Sequence, residues 1–303
     1  MSPGLPRHST SPLKRFKRFR KDNQTAAFME GLSNMTQLKL LALFAHPDDE
    51  SMGMGGTLAK YSAEGVETHL VCASRGEVGW FGPEGQYPGP ERLGKLREAE
   101  LRSAVEELRM TSLSFLGYTD GQVDRADPRE ATGRIVSHIR RIQPQVVVTF
   151  PHDGNYGHPD HIAIGQFTNA AIVCAADAAY KDPENLPPHR VSKLYYMVDG
   201  EDFVNLIAPF MGDMTFPVDG QLRGESPWKE WMITTRIDMA EHCHAAWRAI
   251  QCHKSQLPTL GALAEMHEDA AVAVLAMQGT FFRAFSSVNG GRKVETDIFE
   301  GLR

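Results

Sequence analysis

Between residues 38 and 198, short and nearly continuous apolar runs alternate with segments of helical periodicity. Residues 38–45, 68–73, 112–116, 145–150 and 194–198 read as strands, and unbroken runs such as LKLLALFA and QVVVTF mark strands buried on both faces. Residues 57–63, 92–108, 129–142 and 158–179 read as helices, the first stopping at Gly65. Strand, helix, strand, helix in this order predicts an α/β protein with a largely parallel sheet covered on both faces. The pattern weakens after Asp199. Residues 201–235 look like an irregular insertion or cap, and 238–256 read as a helix with Asp238 as N-cap and Pro258 just beyond its end.

Of 303 residues, 32 are Lys or Arg and 38 Asp or Glu, a net charge of −6 that gives no support for a nucleic-acid partner. The charge is unevenly placed. Residues 1–21 hold seven basic side chains and no acid, so the remaining 25 basic residues face all 38 acids, a balance of −13. Residues 1–35 therefore read as a basic, disordered tail preceding a single α/β domain over 36–303, with its core at 37–200 and a cap and helical region at 201–303. The tail lacks the apolar stretch of a secretory signal, and no run approaches the ~18 apolar residues of a membrane anchor. Four scattered cysteines without a C-x-x-C pair argue against disulfides or a cysteine zinc knuckle and favour a reducing, cytoplasmic setting.

Two polar clusters follow the first and fourth strands, where open α/β sheets place their ligands. The first is His46-Pro47-Asp48-Asp49-Glu50, followed by Gly53, Gly55 and Gly56, which permit a close helix approach or an anion-binding nest. His46 and Asp49 can converge across the strand-to-helix corner, with Asp48 projecting from the adjacent face. The second cluster is Asn155-Tyr156-Gly157-His158-Pro159-Asp160-His161, where Pro159 suits a first helical turn and sets His158 and His161 three apart on one face. Asp160 either orients an imidazole or answers the helix dipole. Each cluster alone is a polar helix start; two on one sheet point to a divalent metal site.

The pair A-H-P-D-D-E and G-H-P-D-H resembles the LmbE-like (PIG-L) family of zinc-dependent N-acetylglucosaminyl de-N-acetylases. The resemblance spans about residues 37–200, with weaker similarity at 235–256. It implies a Rossmann-like sheet and a zinc ion held by His46, Asp49 and His161, with Asp48 as general base. It further implies His158 as oxyanion stabiliser with Asp160 as its partner, Tyr156 as a mobile active-site tyrosine, and Arg75 as a substrate contact. The activity implied is hydrolysis of the acetamide of a small-molecule amino-sugar conjugate. Three protein ligands leave a position for water, the mark of a catalytic zinc site.

Other readings remain open from the sequence. They are an amidase acting on a larger thiol conjugate or acylated antibiotic, an Fe²⁺ oxygenase using a two-histidine, one-carboxylate triad, and a noncatalytic sugar-binding module. A homo-oligomer is compatible with all of them. Trp80, Phe81 and Tyr87, on the long Gly/Pro-rich loop 76–90, are expected either to stack on a sugar ring or to pin the loop. His253 is read as a helix-end dipole partner outside the metal set, and His242 and His244, two apart, as incidental.

Overall fold

Strand β1 (Lys39–Phe44) is buried from Leu40 to Phe44, as the continuous apolar run requires, and sits at the centre of a seven-stranded sheet. This computed structural model describes Met1, 37–83, 85–211, 215–218, 220–291 and 293–303; the expected basic tail lies, apart from Met1, outside the described residues. The sheet and its helices form the unit Leu38–Arg303.

Strands β2 (Glu67–Cys72) and β3 (Ser112–Phe115) lie on one side of β1, and β4 (Val146–Thr149) and β5 (Lys193–Met197) on the other, all parallel. The helices between them are α1 (Asp49–Ala63), α2 (Pro90–Glu107), α3 (Pro128–Ile142) and α4 (Pro159–Ala176). The strand order β3-β2-β1-β4-β5 reverses direction between β1 and β4. A doubly wound sheet leaves a crevice at that switch point, so the loops after β1 and β4 are forced side by side. The α/β expectation holds, with element ends shifted by a few residues; α1, for one, begins at Asp49 rather than Thr57.

The region after Asp199 is more ordered than its pattern suggests. It contains α5 (Glu201–Met211), a hairpin of β6 (Thr215–Val218) and β7 (Gln221–Gly224), the two-residue strand β8 (Thr235–Arg236), α6 (Cys243–Cys252), α7 (Glu268–Leu275) and β9 (Thr280–Ser286). The expected helix at 238–256 is shortened to α6, preceded by a single 3-10 turn. β9 pairs antiparallel with β5, and β8 with β9, extending the parallel sheet beyond its last crossover. A strand buried on one face only, such as TFFRAFS, carries a weaker pattern than the continuous runs of the core.

A buried carboxylate fastens this extension. Glu295, 1% exposed, accepts hydrogen bonds from Lys193 Nζ (2.8 Å), Tyr195 Oη (2.7 Å), Thr235 Oγ1 (2.8 Å) and Asn289 Nδ2 (2.6 Å), and pairs with Arg283 at 2.8 Å. Burial pushes its pKa up, but these donors outweigh burial and hold it at about 2. A carboxyl held below its unfolded value of about 4.3 stabilises the fold above that pH, and the contribution is lost as pH falls through the folded value. Glu295→Gln should therefore cost about 3–5 kcal/mol at pH 7, as expected on breaking a buried ion pair. Urea titrations should show the gap to wild type closing between pH about 4.3 and 2.

Candidate active site and metal centre

The corner after β1 is set by an unusual backbone. Asp48 has φ 126° and ψ −29°, outside the regions that L-residues favour, a strain of about 1–3 kcal/mol that neighbours must offset. Its N–H donates to Glu50 Oε2 (3.1 Å), while Arg97 Nη2 on α2 donates to Pro47 O (2.7 Å) and to Asp48 Oδ2 (3.1 Å). Glu50, fully buried, pairs with His253 Nε2 at 2.8 Å. The expectation for His253 is thus corrected: its ring is spent on a buried carboxylate 203 positions earlier in the chain rather than on the dipole of α6. The strain aims the Asp48 and Asp49 side chains into the crevice, where both border one cavity.

Asp49 Oδ2 accepts from the N–H groups of Ala45 (3.1 Å) and His46 (2.8 Å), locking its carboxylate beneath the end of β1. From the β4 side, Gly154, Asn155 and Gly157 all take positive φ, folding residues 154–157 into a tight turn before α4. A Cβ at Gly154 would meet Ile162 Cγ1 at 2.9 Å, so this turn presses on α4 where only glycine fits. His158 caps α4 by accepting from Asp160 N at 3.2 Å, with Pro159 in the first turn. His161 lies stacked on Phe150, ring centroids 3.8 Å apart, which fixes its plane.

The two corners meet. His46 Nδ1 and His161 Nε2 are 3.2 Å apart, with Asp49 presenting Oδ2 to His46 at 3.7 Å and Oδ1 to His161 at 3.5 Å. Ring nitrogens of His46, His158 and His161 all lie within 4.8 Å of one another. The outer nitrogens decide the inner ones. His161 Nδ1 faces Gly154 O at 3.2 Å, and His46 Nε2 faces Asp120 Oδ1 at 3.1 Å and Asp160 Oδ2 at 3.4 Å, all acceptors, so both outer nitrogens carry hydrogen. Two neutral rings so arranged would point lone pairs at each other across 3.2 Å, a repulsion relieved by a proton on His46 Nδ1 or by a metal ion between the rings. Burial lowers His161, and the neighbouring His46 lowers it further, whereas His46 is raised because Asp120 outweighs its burial. Asp49 is raised by burial despite His46.

Two expected partners are relocated. The Asp160 carboxylate accepts from Gly121 N (2.7 Å) and Val123 N (3.1 Å) and faces His46, while its link to His158 runs through its main-chain N–H. Arg75 pairs with Glu98 (2.6 Å) and lies over Phe115, 4.7 Å from the ring centroid, whereas Arg97 reaches Asp48 and Arg223 donates to Gly157 O (2.9 Å). Tyr156 packs edge-on against His158 and His161. The loop aromatics divide between the two expectations, because Phe81 borders the cavity while Tyr87 Oη bonds Glu77 O (3.1 Å) and Trp80 Nε1 reaches Pro83 O (3.4 Å). Gly53 and Gly56 permit close approach to Met197 and Met239, so these glycines serve packing.

Sequence reasoning missed Asp120, Arg97 and the partner of Glu50. An Asp-Gly pair just past β3 stands on the same sheet rim and signals Asp120; Arg97, inside an amphipathic helix, has no local mark. The cavity, of about 240 Å³, is bordered at one end by Asp48, Asp49, Asn155, Tyr156 and His161. Farther along stand Asp199 and Glu225, both pushed up by burial, and Glu225 Oε1 is buried without a partner among the described residues.

A doubly wound sheet whose switch-point crevice brings two histidines and a carboxylate together defines the class. The family model for GlcNAc-PI de-N-acetylase (PIG-L) matches residues 41–172. A 1D-myo-inositol 2-acetamido-2-deoxy-alpha-D-glucopyranoside deacetylase of Streptomyces avermitilis is 32% identical over 296 residues, covering 89% of this chain and 99% of that protein. The chain belongs to the PIG-L family. Among solved structures, a conserved Thermus thermophilus protein superposes with TM-score 0.59 at 24% identity over 84% of this chain and 97% of its own. A 4-carboxy-2-hydroxymuconate hydratase from Pseudomonas putida superposes with TM-score 0.56 at 20% identity over 84% and 99%. These two likenesses show the fold alone, and the second shows that the fold hosts more than one chemistry.

The Glu50–His253 pair makes a testable support. Burial raises Glu50, but His253 outweighs it and lowers it; burial lowers His253, but Glu50 outweighs it and raises it. A lowered carboxyl stabilises above about pH 4.3 and a raised imidazole below about pH 6.5, so the pair contributes most between those values. His253→Leu, which strands the Glu50 charge, is expected to cost about 3–5 kcal/mol in urea unfolding, and the double variant with Glu50→Leu less than either single one.

Proposed function

We propose that this protein is a metal-dependent amide hydrolase that removes the acyl group from an N-acylated amino sugar, with Zn²⁺ as its ion. The observation that carries the reading is the facing of His46 Nδ1 and His161 Nε2 at 3.2 Å, with a carboxylate against both. His46, Asp49 and His161 fit a borderline cation such as Zn²⁺, which takes imidazole and carboxylate ligands. When bound, such an ion would lower the pKa of water toward about 7 and polarise an amide carbonyl. Similarity to a deacetylase of an acetamido sugar across nearly its whole length supports the sugar amide as substrate.

The remaining chemistry belongs to side chains of this chain. Asp48, raised by burial yet held beside Arg97, accepts the proton of the attacking water and delivers it to the departing nitrogen. One C–O bond forms, the amide C–N bond breaks, and the products are a carboxylic acid and a free amine. His158 accepts at Nδ1 from Asp160 N, so as a neutral ring it carries hydrogen on Nε2 and offers that hydrogen to the carbonyl oxygen as charge develops there. Asp120 and Asp160 hold His46 in the orientation that turns Nδ1 inward. Tyr156 covers His158 and His161 and limits water at the reacting carbon.

The test combines metal analysis with acetate release from N-acetylglucosamine conjugates. Zinc-loaded protein should release acetate, and a chelator should abolish the reaction. Asp48→Ala should keep its metal and lose turnover, His161→Ala should lose metal, and His158→Ala should keep metal with kcat lowered ~10²-fold or more. Loss of metal in Asp48→Ala with full retention in His161→Ala would overturn these roles.

A further inference from the structure

Three polar side chains that the reaction does not use meet in the cavity. Asn155 lies in the turn before α4, Asp199 just past β5 and Glu225 just past β7, and all three border the space that Asp48 and Asp49 also border. The backbone fixes them together. Ser226 N donates to Asn155 O (2.8 Å) and Trp228 N to Asp199 O (2.8 Å), so the segment that carries Glu225 is tied to both of its neighbours. Asn155 is 8% exposed, and its Oδ1, like Glu225 Oε1, is buried without a hydrogen-bond partner among the described residues. A buried acceptor left unmet is costly, so two in one cavity call for donors that an occupant brings.

The charge of the set narrows the donor. Burial pushes Asp199 up to about 6, and burial together with the charges of Asp199 and Asp153 pushes Glu225 up to about 8. No basic side chain among the described residues acts on either acid, and the Gln278 amide that bonds Asp199 also donates to Met52 O (2.7 Å). Two acids so placed keep a proton between them at neutral pH unless a cation takes its place. A hydroxyl group brings one donor and no charge, whereas an ammonium group brings the charge and three donors, one for each of Asn155, Asp199 and Glu225. We infer that these three residues form a subsite for an ammonium group, so that the substrate carries a protonated amine besides the amide that is cleaved. This inference rests on the hydrolase reading above. The amine belongs either to the aglycone or to the acyl group; the chemistry recognised is the same, and two series of probes separate the sources.

In the first series N-acetylglucosamine carries an aminoethyl, aminopropyl or aminobutyl aglycone, each compared with the hydroxyalkyl glycoside of the same length. In the second, glucosamine carries N-glycyl or N-β-alanyl, compared with N-glycolyl and N-hydroxypropanoyl. Release of the deacylated amino sugar by zinc-loaded protein at neutral pH gives kcat/KM for each. Charge-assisted hydrogen bonds are roughly twice as strong as neutral ones, so an amine should exceed its hydroxyl counterpart about tenfold or more in one series. Glu225→Gln keeps the shape and removes the charge, and should cut that ratio about fivefold or more; Asp199→Asn, an independent variant, should do the same. A preference confined to the glycosides assigns the amine to the aglycone, and one confined to the acyl series assigns it to the acyl group. Cleavage with no amine preference in either series, or with a preference that both variants leave intact, overturns this inference and spares the hydrolase reading. A second equivalent of bound zinc that Glu225→Gln releases also overturns it, since the acids would then serve a metal ion. No cleavage of any probe by zinc-loaded protein sinks both.

Discussion

The arrangement depends on two imidazole nitrogens, His46 Nδ1 and His161 Nε2, that face each other at 3.2 Å with their outer nitrogens tied to acceptors. Neither ring can turn away. His161 is stacked on Phe150 and bonded to Gly154 O, and His46 is braced by Asp120 and Asp160. Repulsion between the two lone pairs is tolerable only while a positive charge, a proton or a metal ion, lies between them. The sheet makes the meeting unavoidable, because β1 and β4 are neighbours at the point where the crossovers change direction.

That geometry stores strain, and most of the surrounding polar network offsets it. Asp48 adopts φ 126° so that two successive carboxylates can enter the crevice, and its backbone is held on one side by Arg97 and on the other by Glu50. Glu50 is in turn neutralised by His253 at the end of α6. A residue late in the chain thus keeps the early corner that carries Asp48 and Asp49 in shape. The fold beyond β5 thus buttresses the crevice, and the Glu295 hub fastens that region to the sheet.

The parallel core was legible because strands buried on both faces leave unbroken apolar runs, as in QVVVTF, and because helix starts carry their own marks, such as Asp127 before Pro128. The convergence of the two histidine clusters followed from their places after strands of one sheet. What failed to show were pairings over long separations. Glu50 and His253 are 203 positions apart, and Arg97 reaches Asp48 from the buried face of a helix where its charge looks like any other. Asp160 misled for a different reason: its carboxylate and its main-chain N–H serve different partners, and sequence cannot say which will meet His158. Arg75 and Arg97 flank the same loop, yet only the one on the buried face of α2 faces the site.

The division of labour along the chain has a consequence for specificity. The family match spans residues 41–172 and contains every side chain assigned to ion binding or proton transfer. Much of the cavity's apolar wall comes later, from α5, the segment Leu257–Glu265, α6 and α7. Chemistry demands fixed distances of a few ångströms, so the early region tolerates little change. An apolar wall demands only volume and the absence of unsatisfied polar groups, which many combinations of Leu, Ile, Val and Phe provide. Substrate preference can therefore drift in the later region while His46, Asp48, Asp49 and His161 keep their geometry. The later region buttresses the earlier one through His253 on Glu50 and through Met239 and Ala246 against the glycines of α1. None of these buttressing residues borders the cavity, so its lining is free to change without disturbing the corner that holds Asp48.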